Sequence, residues 1–294
     1  MKPVKNEAIP SFSDTDLELY FFTEVLKLGS LHYGCWSDGD DLTLDKLRKA
    51  QARYTDTLLA LIPAERMSIL DVGAGVGDVA EAMFARGHSV TALSPDKNHA
   101  KYYQNSQVIF CNVAFEAFES TEMFDLILMS ESHNYFDTEI GFQQCRRLLK
   151  PGGYLLISGK FKKQPTRLYH RVVTIEADYI RRAREHGFEL LQQIDITQDV
   201  LPTLQLARQF VDDYLVPTMG LVDVYLRSAA PWKARLMKAV GKLLLAKQVR
   251  QLNPMLGSLQ EHVDVDRFQE HLTYQRLLFV YAPYSLSRSM QVRP

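Results

Sequence analysis

The stretch that decides the fold is ILDVGAGVGD, residues 69–78. It reads as a short apolar run interrupted by one acid, then three alternating glycines, then a second acid. Residues 67–72 (MSILDV) suit a buried strand. Gly73, Gly75 and Gly77 suit a turn that needs positive φ and lets a ligand approach the backbone closely. VAEAMFARG (79–87) follows with helical texture and a stop at Gly87. The spacing is G-x-G-x-G. Where a dinucleotide fingerprint needs its third glycine, the chain has Asp78, an acid poorly suited to a pyrophosphate. Asp71 stands just before the loop, as if a cationic group must be bound there. A plain tight turn is the competing reading.

Outward from the loop the texture alternates. HSVTAL (88–93), QVIFC (107–111), FDLILMS (124–130), YLLISGKF (154–161) and FELLQQIDIT (188–197) read as strands. PDKNHAKYYQN (95–105), EIGFQQCRRLLKPGG (139–153) and EADYIRRAREHG (176–187) read as helices, the first opened by a proline and the second closed by Pro-Gly-Gly. That alternation predicts an α/β fold with a sheet covered by helices on both faces. From 201 to about 263 only helical texture remains, and YQRLLFVYA (274–282) returns as a last strand. The reading is an N-terminal helical cap segment (1–63), a core (64–203 and 264–294), and a helical cap insertion (204–263) before the last strand. Both helical parts would cover the carboxyl edge of the sheet, where α/β ligands bind.

LDVGAGVGD (70–78) and RLLKPGGYLLIS (147–158) together resemble the first motif and the lead into the fifth strand of the class I S-adenosylmethionine-dependent methyltransferases. The likeness spans about 31–203 plus the last strand, and is nearest the small-molecule branch of tocopherol, sarcosine/dimethylglycine and cyclopropane-synthase-like enzymes. It implies a Rossmann-like seven-stranded sheet with the last strand antiparallel, S-adenosyl-L-methionine as cofactor, and a small-molecule acceptor. It implies that Asp71, Gly73 and Gly75 hold the methionine end of the cofactor, with Asp71 on its ammonium. Two positions depart from the pattern. The second strand ends in Ala92 where an acid usually takes the ribose hydroxyls, so Leu93, Ser94 and Asp96 are the expected substitutes. The third strand leads to Ala114 where an acid usually lies near adenine, so Phe115 is expected to stack on the base and Glu116 to line the same side. Met129, at the end of the fourth strand, is expected at the cofactor.

The residues after that strand are expected to face the transferring methyl. Glu131, Asn134 and Tyr135 are the acceptor-binding candidates, and His133 is the candidate base, because imidazole titrates in the right range. Packing against the next helix is the other reading for His133. His32 and His170 are weaker candidates. LHYGCW (31–36) sits before the first motif, where relatives carry a similar aromatic segment. Tyr33 and Trp36 are expected to touch or shield the cofactor, with a packed helix corner as the alternative. Lys160, Lys162, Lys163, Arg167 and Arg171 suit either an anionic acceptor or a solvated loop.

The chain has 294 residues and a formal net charge of −1, with three scattered cysteines, Cys35, Cys111 and Cys145. Near-neutral charge gives no reason to expect nucleic acid. The cysteines form no disulfide framework and no metal spacing, which fits a reducing cytoplasm. PWKARLMKAVGKLLLAKQVRQL (231–252) carries six basic residues and no acid. It reads as a lid helix, or as a site of peripheral membrane contact. Oligomeric state is not legible. The expected function is methyl transfer to a small organic acceptor, lipid-like or from secondary metabolism. Cyclopropane-synthase-like methylene transfer to a lipid alkene and a non-catalytic scaffold are the alternatives.

Overall fold

The computed structural model describes residues 17–169, 171–229 and 263–283. His170, the basic run 231–252 and the residues before 17 lie outside that set. Seven strands form one sheet: β1 (Ser68–Val72), β2 (Ser89–Leu93), β3 (Ile109–Cys111), β4 (Phe124–Ser130), β5 (Leu149–Lys162), β6 (Phe188–Asp195) and β7 (Leu272–Tyr281). Their order is β3-β2-β1-β4-β5-β7-β6. The pairs from β3 through β5 are parallel, while β7 runs antiparallel to both β5 and β6. The chain reverses its direction of travel across the sheet between β1 and β4. That switch point is where an open α/β sheet leaves a crevice at its carboxyl edge.

Side chains alternate across the strands and build two cores. Ile69, Leu126, Leu128 and Leu156 pack on one face; Leu70, Ile127, Met129 and Ile157 pack on the other. Each such buried aliphatic side chain contributes roughly 1.5–3 kcal/mol. The helices are α1 (Leu17–Tyr20), α2 (Leu44–Leu59), α3 (Asp78–Ala85), α4 (Thr138–Leu148), α5 (Glu176–Glu185), α6 (Thr197–Phe210), α7 (Val216–Ala229) and α8 (Val265–His271). Thr43, Asp137 and Asp264 accept backbone N–H bonds at the starts of α2, α4 and α8, caps worth about 1 kcal/mol each. By contrast α3 starts from Gly77 with no side-chain cap, so its first N–H groups face the carboxyl edge.

Two expected elements differ. The 95–105 stretch is a 3-10 helix, Lys97–Tyr103, capped by Asp96. The Tyr103 ring packs beneath Gly77, where an added Cβ would lie 2.9 Å from it, and this holds the segment tight. β5 begins at Leu149, so Pro151-Gly152-Gly153 lies within the strand rather than between helix and strand.

Residues 31–36 cross over the carboxyl edge between α2 and α6. The Cys35 N–H donates to Ala50 O and the Trp36 N–H to Asp199 O, both at 2.9 Å. The Gly34 N–H and the Trp36 indole N–H both donate to Thr203 Oγ1, at 3.1 and 2.9 Å. Gly34 is fixed by space: a Cβ there would sit 2.6 Å from Ala50 Cβ and 3.1 Å from its carbonyl carbon.

Candidate active site

A cleft of about 180 Å³ opens at the switch point, between the glycine loop, the turn after β4 and the crossing segment. Asp71 is at its base. The side chain is 1% exposed, and its Oδ2 has no hydrogen-bond partner among the described residues. Burial and then the nearby Asp78 charge push its pKa up to about 8. A carboxylate so placed is poised for a cation. Gly73, Gly75 and Gly77 have φ of +75°, +55° and +89°, and the Gly73 and Ala74 N–H groups both donate to Leu93 O. The three glycines differ in what lies above them. A Cβ on Gly73 would meet Ser132 Cβ at 2.5 Å, while one on Gly75 would meet nothing nearer than Leu31 Cδ1 at 3.7 Å. The space over Gly75 is open to the cleft. Gly75→Ala is therefore expected to fold with a loss of about 1 kcal/mol from the left-handed backbone. The same change lowers affinity for S-adenosylhomocysteine, read by calorimetric titration beside a urea melt; unchanged affinity would place the ligand elsewhere.

His32 also lines the cleft. Its Nδ1 lies 2.7 Å from Tyr33 O and its Nε2 3.0 Å from Asp78 Oδ2. Both partners accept, so both ring nitrogens donate and the ring is a cation. Burial pulls its pKa down, but the Asp78 hydrogen bond and charge outweigh burial and raise it. Asp78 is in turn held below the usual carboxylate range, because bonds from His32 and Ser30 overcome its own burial. The ion pair ties the crossing segment to the start of α3. On the other side of the loop His99 lines the cleft, with Nδ1 2.8 Å from Ser94 Oγ and Nε2 3.7 Å from Asp96 Oδ2.

At the end of β4, Glu131 stands at φ +59°, a left-handed conformation that costs a non-glycine residue strain and often marks a functional turn. Its Oε1 accepts from the Tyr33 N–H at 2.9 Å and from the Tyr274 hydroxyl at 2.7 Å. Its Oε2 lies 3.8 Å from Lys160 Nζ. Behind it the Tyr54 hydroxyl donates to Ser158 Oγ at 2.7 Å and lies 3.0 Å from the Tyr274 hydroxyl and 3.1 Å from Ser130 Oγ. Lys160 Nζ sits 4.8 Å over the Tyr33 ring. Tyr135, 77% exposed, stands at the mouth.

Of the residues expected from sequence, Asp71, Gly73, Gly75, Glu131 and Tyr135 line this cleft, joined by His32, Asp78, His99 and Ser130. The others take different places. Met129 faces the opposite side of β4 from Ser130 and is core. Phe115 is core too, 5.1 Å from the Phe136 ring, and does not offer a face to the cleft. Glu116 is exposed, and its carbonyl accepts from Gln144. Leu93 is buried and serves through its carbonyl. Ser94, 3% exposed, holds His99 and the Asp96 N–H. Asn134 clamps the far loop: it donates to Lys160 O, and its Oδ1 accepts from Val173, Thr174 and the Thr174 hydroxyl. Trp36 packs with Leu28 and Leu47, so its shielding is of α6 contacts rather than of the cleft. Tyr33 sits behind Glu131.

His133 is 1% exposed. Its ring stacks on Phe161 at 4.4 Å and meets Tyr179 edge-on at 5.7 Å, on the sheet face away from the cleft. Burial pulls its pKa down to about 3. The packing reading replaces the base reading. A neutral buried imidazole stabilises the fold above about pH 6.5, and that contribution is lost as pH falls toward 3. His133→Leu should therefore shrink the loss of stability between pH 7 and pH 4.5 seen in denaturant melts, while the pH profile of turnover keeps its shape. A profile that loses a limb would restore the base. In the basic run, Lys162 donates to Thr166 O and Lys163 to Gln269 O, so Lys160 alone of these lysines reaches the cleft's polar cluster. Among the described residues no set of three or more His, Cys, Asp and Glu is placed to hold a metal ion.

A glycine loop beside a buried carboxylate with one unpartnered oxygen, at the switch point of a 3-2-1-4-5-7-6 sheet, is an arrangement suited to a cationic cofactor at the carboxyl edge. Residues 70–157 match a family model described as a methyltransferase domain. The chain is 26% identical over 174 residues to a ubiquinone biosynthesis O-methyltransferase of Nitrosomonas europaea, covering 56% of this chain and 72% of that one. It is 26% identical over 230 residues to an S-adenosyl-L-methionine-dependent Diels-Alderase of Neonectria sp., covering 74% and 84%. A solved structure of a candidate sarcosine dimethylglycine methyltransferase from Galdieria sulphuraria superposes with a TM-score of 0.66 at 18% identity, covering 91% of this chain and 99% of that one. Residues 70–157 thus form a methyltransferase domain, and the chain shares the fold of this solved methyltransferase.

Proposed function

We propose that this methyltransferase acts on the oxygen of a small organic acceptor seated between Glu131, Tyr135 and the crossing segment. The observation that carries the reading is Asp71, a buried carboxylate with an unpaired oxygen beside a glycine loop left open over Gly75. Asp71 would take the ammonium of S-adenosylmethionine, the Gly73–Gly75 backbone its methionine end, and His99 with Ser94 the ribose side, in place of the acid absent at Ala92. When bound, the cofactor supplies an electrophilic methyl on sulfonium. The chain's own part is alignment and exclusion of water. Leu31 and Val79 supply apolar walls to the cleft, and the His32–Asp78 pair holds the crossing segment over it. The O-methyltransferase relative supports an oxygen acceptor.

Methylene transfer to an alkene is the weaker reading, because an alkene has no hydrogen-bonding group to set against Glu131 and Lys160. The Diels-Alderase relative raises cofactor-assisted cyclisation, and a scaffold would bind without turnover. Equimolar S-adenosylhomocysteine and methylated product is the expected outcome. Product without S-adenosylhomocysteine would overturn the reading in favour of cyclisation, and failure to bind S-adenosylhomocysteine would overturn it altogether.

Among the described residues no helix is long and apolar enough to cross a membrane. Three free thiols support a cytoplasmic setting. The six bases of 231–252 support peripheral contact with an anionic bilayer. Changing Lys238 and Lys242 to Glu is expected to lower co-sedimentation with anionic liposomes, and equal partitioning ends that idea.

A further inference from the structure

Glu131 and Lys160 form an ion pair whose spacing is unusual for its setting. The carboxylate has one oxygen saturated: Oε1 takes two hydrogen bonds, from the Tyr33 N–H and the Tyr274 hydroxyl. The other oxygen, Oε2, faces Lys160 Nζ at 3.8 Å, beyond hydrogen-bond length. Lys160 Nζ is also drawn over the Tyr33 ring, 4.8 Å from its centre. Glu131 does not close the gap because its backbone is fixed, by φ of +59° and by a 2.7 Å bond from its N–H to Ser158 O. The side chains are only 18% and 28% exposed. Glu131 lines the cleft beside Ser130 and Tyr135. The pair thus presents one acceptor and one charged donor, less than 4 Å apart, at the point where the acceptor would lie.

We infer that the Glu131–Lys160 gap is the acceptor-oxygen site, and that the acceptor class is an acidic hydroxyl, a phenol or enol. This deepens the function proposed above and rests on it. The acceptor O–H donates to Glu131 Oε2, and its oxygen accepts from Lys160 Nζ. In the reaction the proton passes to Glu131, and the oxygen's electron pair forms the new C–O bond. The C–S bond breaks with its electrons going to sulfur, leaving S-adenosylhomocysteine and a neutral methyl ether. Glu131 then returns its proton to water. Lys160 keeps its charge throughout: burial works against it, but Tyr33 and Glu131 outweigh burial and raise its pKa. It therefore stabilises the developing oxyanion rather than acting as base. A neutral aliphatic amine gains nothing from Lys160, and an alkene gains nothing from either group.

The test uses 4-nitrophenol, whose phenolate is coloured, added to the full chain saturated with S-adenosylhomocysteine. A cation within 4–6 Å lowers the pKa of a hydroxyl by about one unit or more. The bound probe should show roughly tenfold more phenolate relative to phenol than the free probe at the same pH. Lys160→Met should abolish the shift and Lys160→Arg should keep most of it, with S-adenosylhomocysteine affinity unchanged in both. Lys160→Arg covers the case in which Lys160→Met fails to fold. Failure of the wild type to bind S-adenosylhomocysteine overturns the cofactor reading. Binding of S-adenosylhomocysteine without binding of the probe, a bound probe with an unshifted spectrum, or a shift that survives in Lys160→Met overturns the hydroxyl site alone.

Discussion

Replacing Asp71 by Asn is expected to stabilise the ligand-free protein and to deprive it of most of its cofactor affinity. The two effects have one cause. Asp71 is a buried carboxylate with an unpaired oxygen, and burial together with Asp78 has raised its pKa to about 8. Its folded pKa lies above the unfolded value of about 3.9. Its contribution to stability is therefore fully present below about pH 4 and is lost as pH rises through 8. Asparagine carries no charge to bury, so in the variant stability should no longer fall across that window. Binding runs the other way. A cationic ligand favours the ionised carboxylate, so association near neutrality must release close to one proton, and affinity should rise with pH up to about 8. Losing a charge-assisted hydrogen bond costs about 1.5–3 kcal/mol, or roughly 10- to 150-fold in affinity. Calorimetric titration of S-adenosylhomocysteine in two buffers of different ionisation enthalpy reads the proton directly. Equal heats in the two buffers for the wild type would mean that Asp71 does not meet the ammonium.

The place of Asp71 in the cleft was legible because a single local pattern carries it: strand, acid, glycine turn, helix. The same holds for the sheet as a whole, since each strand announces itself by a short apolar run between turn residues. The lateral order was legible only through resemblance, because nothing local says that β7 inserts between β5 and β6. The site was harder for a specific reason. A residue at the end of a strand belongs to one face or the other by an alternation of one position. Met129 and Ser130 are neighbours, yet one is core and the other lines the cleft. Phe115, in a 3-10 turn after β3, and His133, in the turn after β4, are outside any strand alternation, and both rings pack behind the ligand edge. His32 stood out only as a weaker candidate and Lys160 only as one base of a run, because the partners that place them, Asp78 and Glu131, lie 46 and 29 positions away. His99 had a faint signal, a histidine in the capped turn after β2, on the side where the ribose acid is absent.

Gly34→Ala is expected to cost both stability and cofactor binding, although Gly34 does not line the cleft. The glycine sits against α2 with no room for a methyl: Ala50 Cβ, Ala50 C and Gln51 N would lie 2.6, 3.1 and 3.2 Å from it. Two of those three atoms are helix backbone, so the crossing segment must lift instead. Lifting it lengthens the Cys35–Ala50 bond, both bonds to Thr203 and the Tyr33–Glu131 bond together. Overpacking of this kind costs about 1–3 kcal/mol. It also moves His32 and Leu31, which form the near wall of the cleft, so S-adenosylhomocysteine affinity should fall with stability. Ala50→Gly supplies the control. Alone it costs up to about 1 kcal/mol as a glycine within a helix. Combined with Gly34→Ala it exchanges which partner carries the methyl, so the double variant should be more stable than Gly34→Ala alone and should regain cofactor affinity. Denaturant melts and titrations of the four proteins give the coupling. Strictly additive losses would mean that LHYGCW owes its place to something other than the Gly34–Ala50 contact.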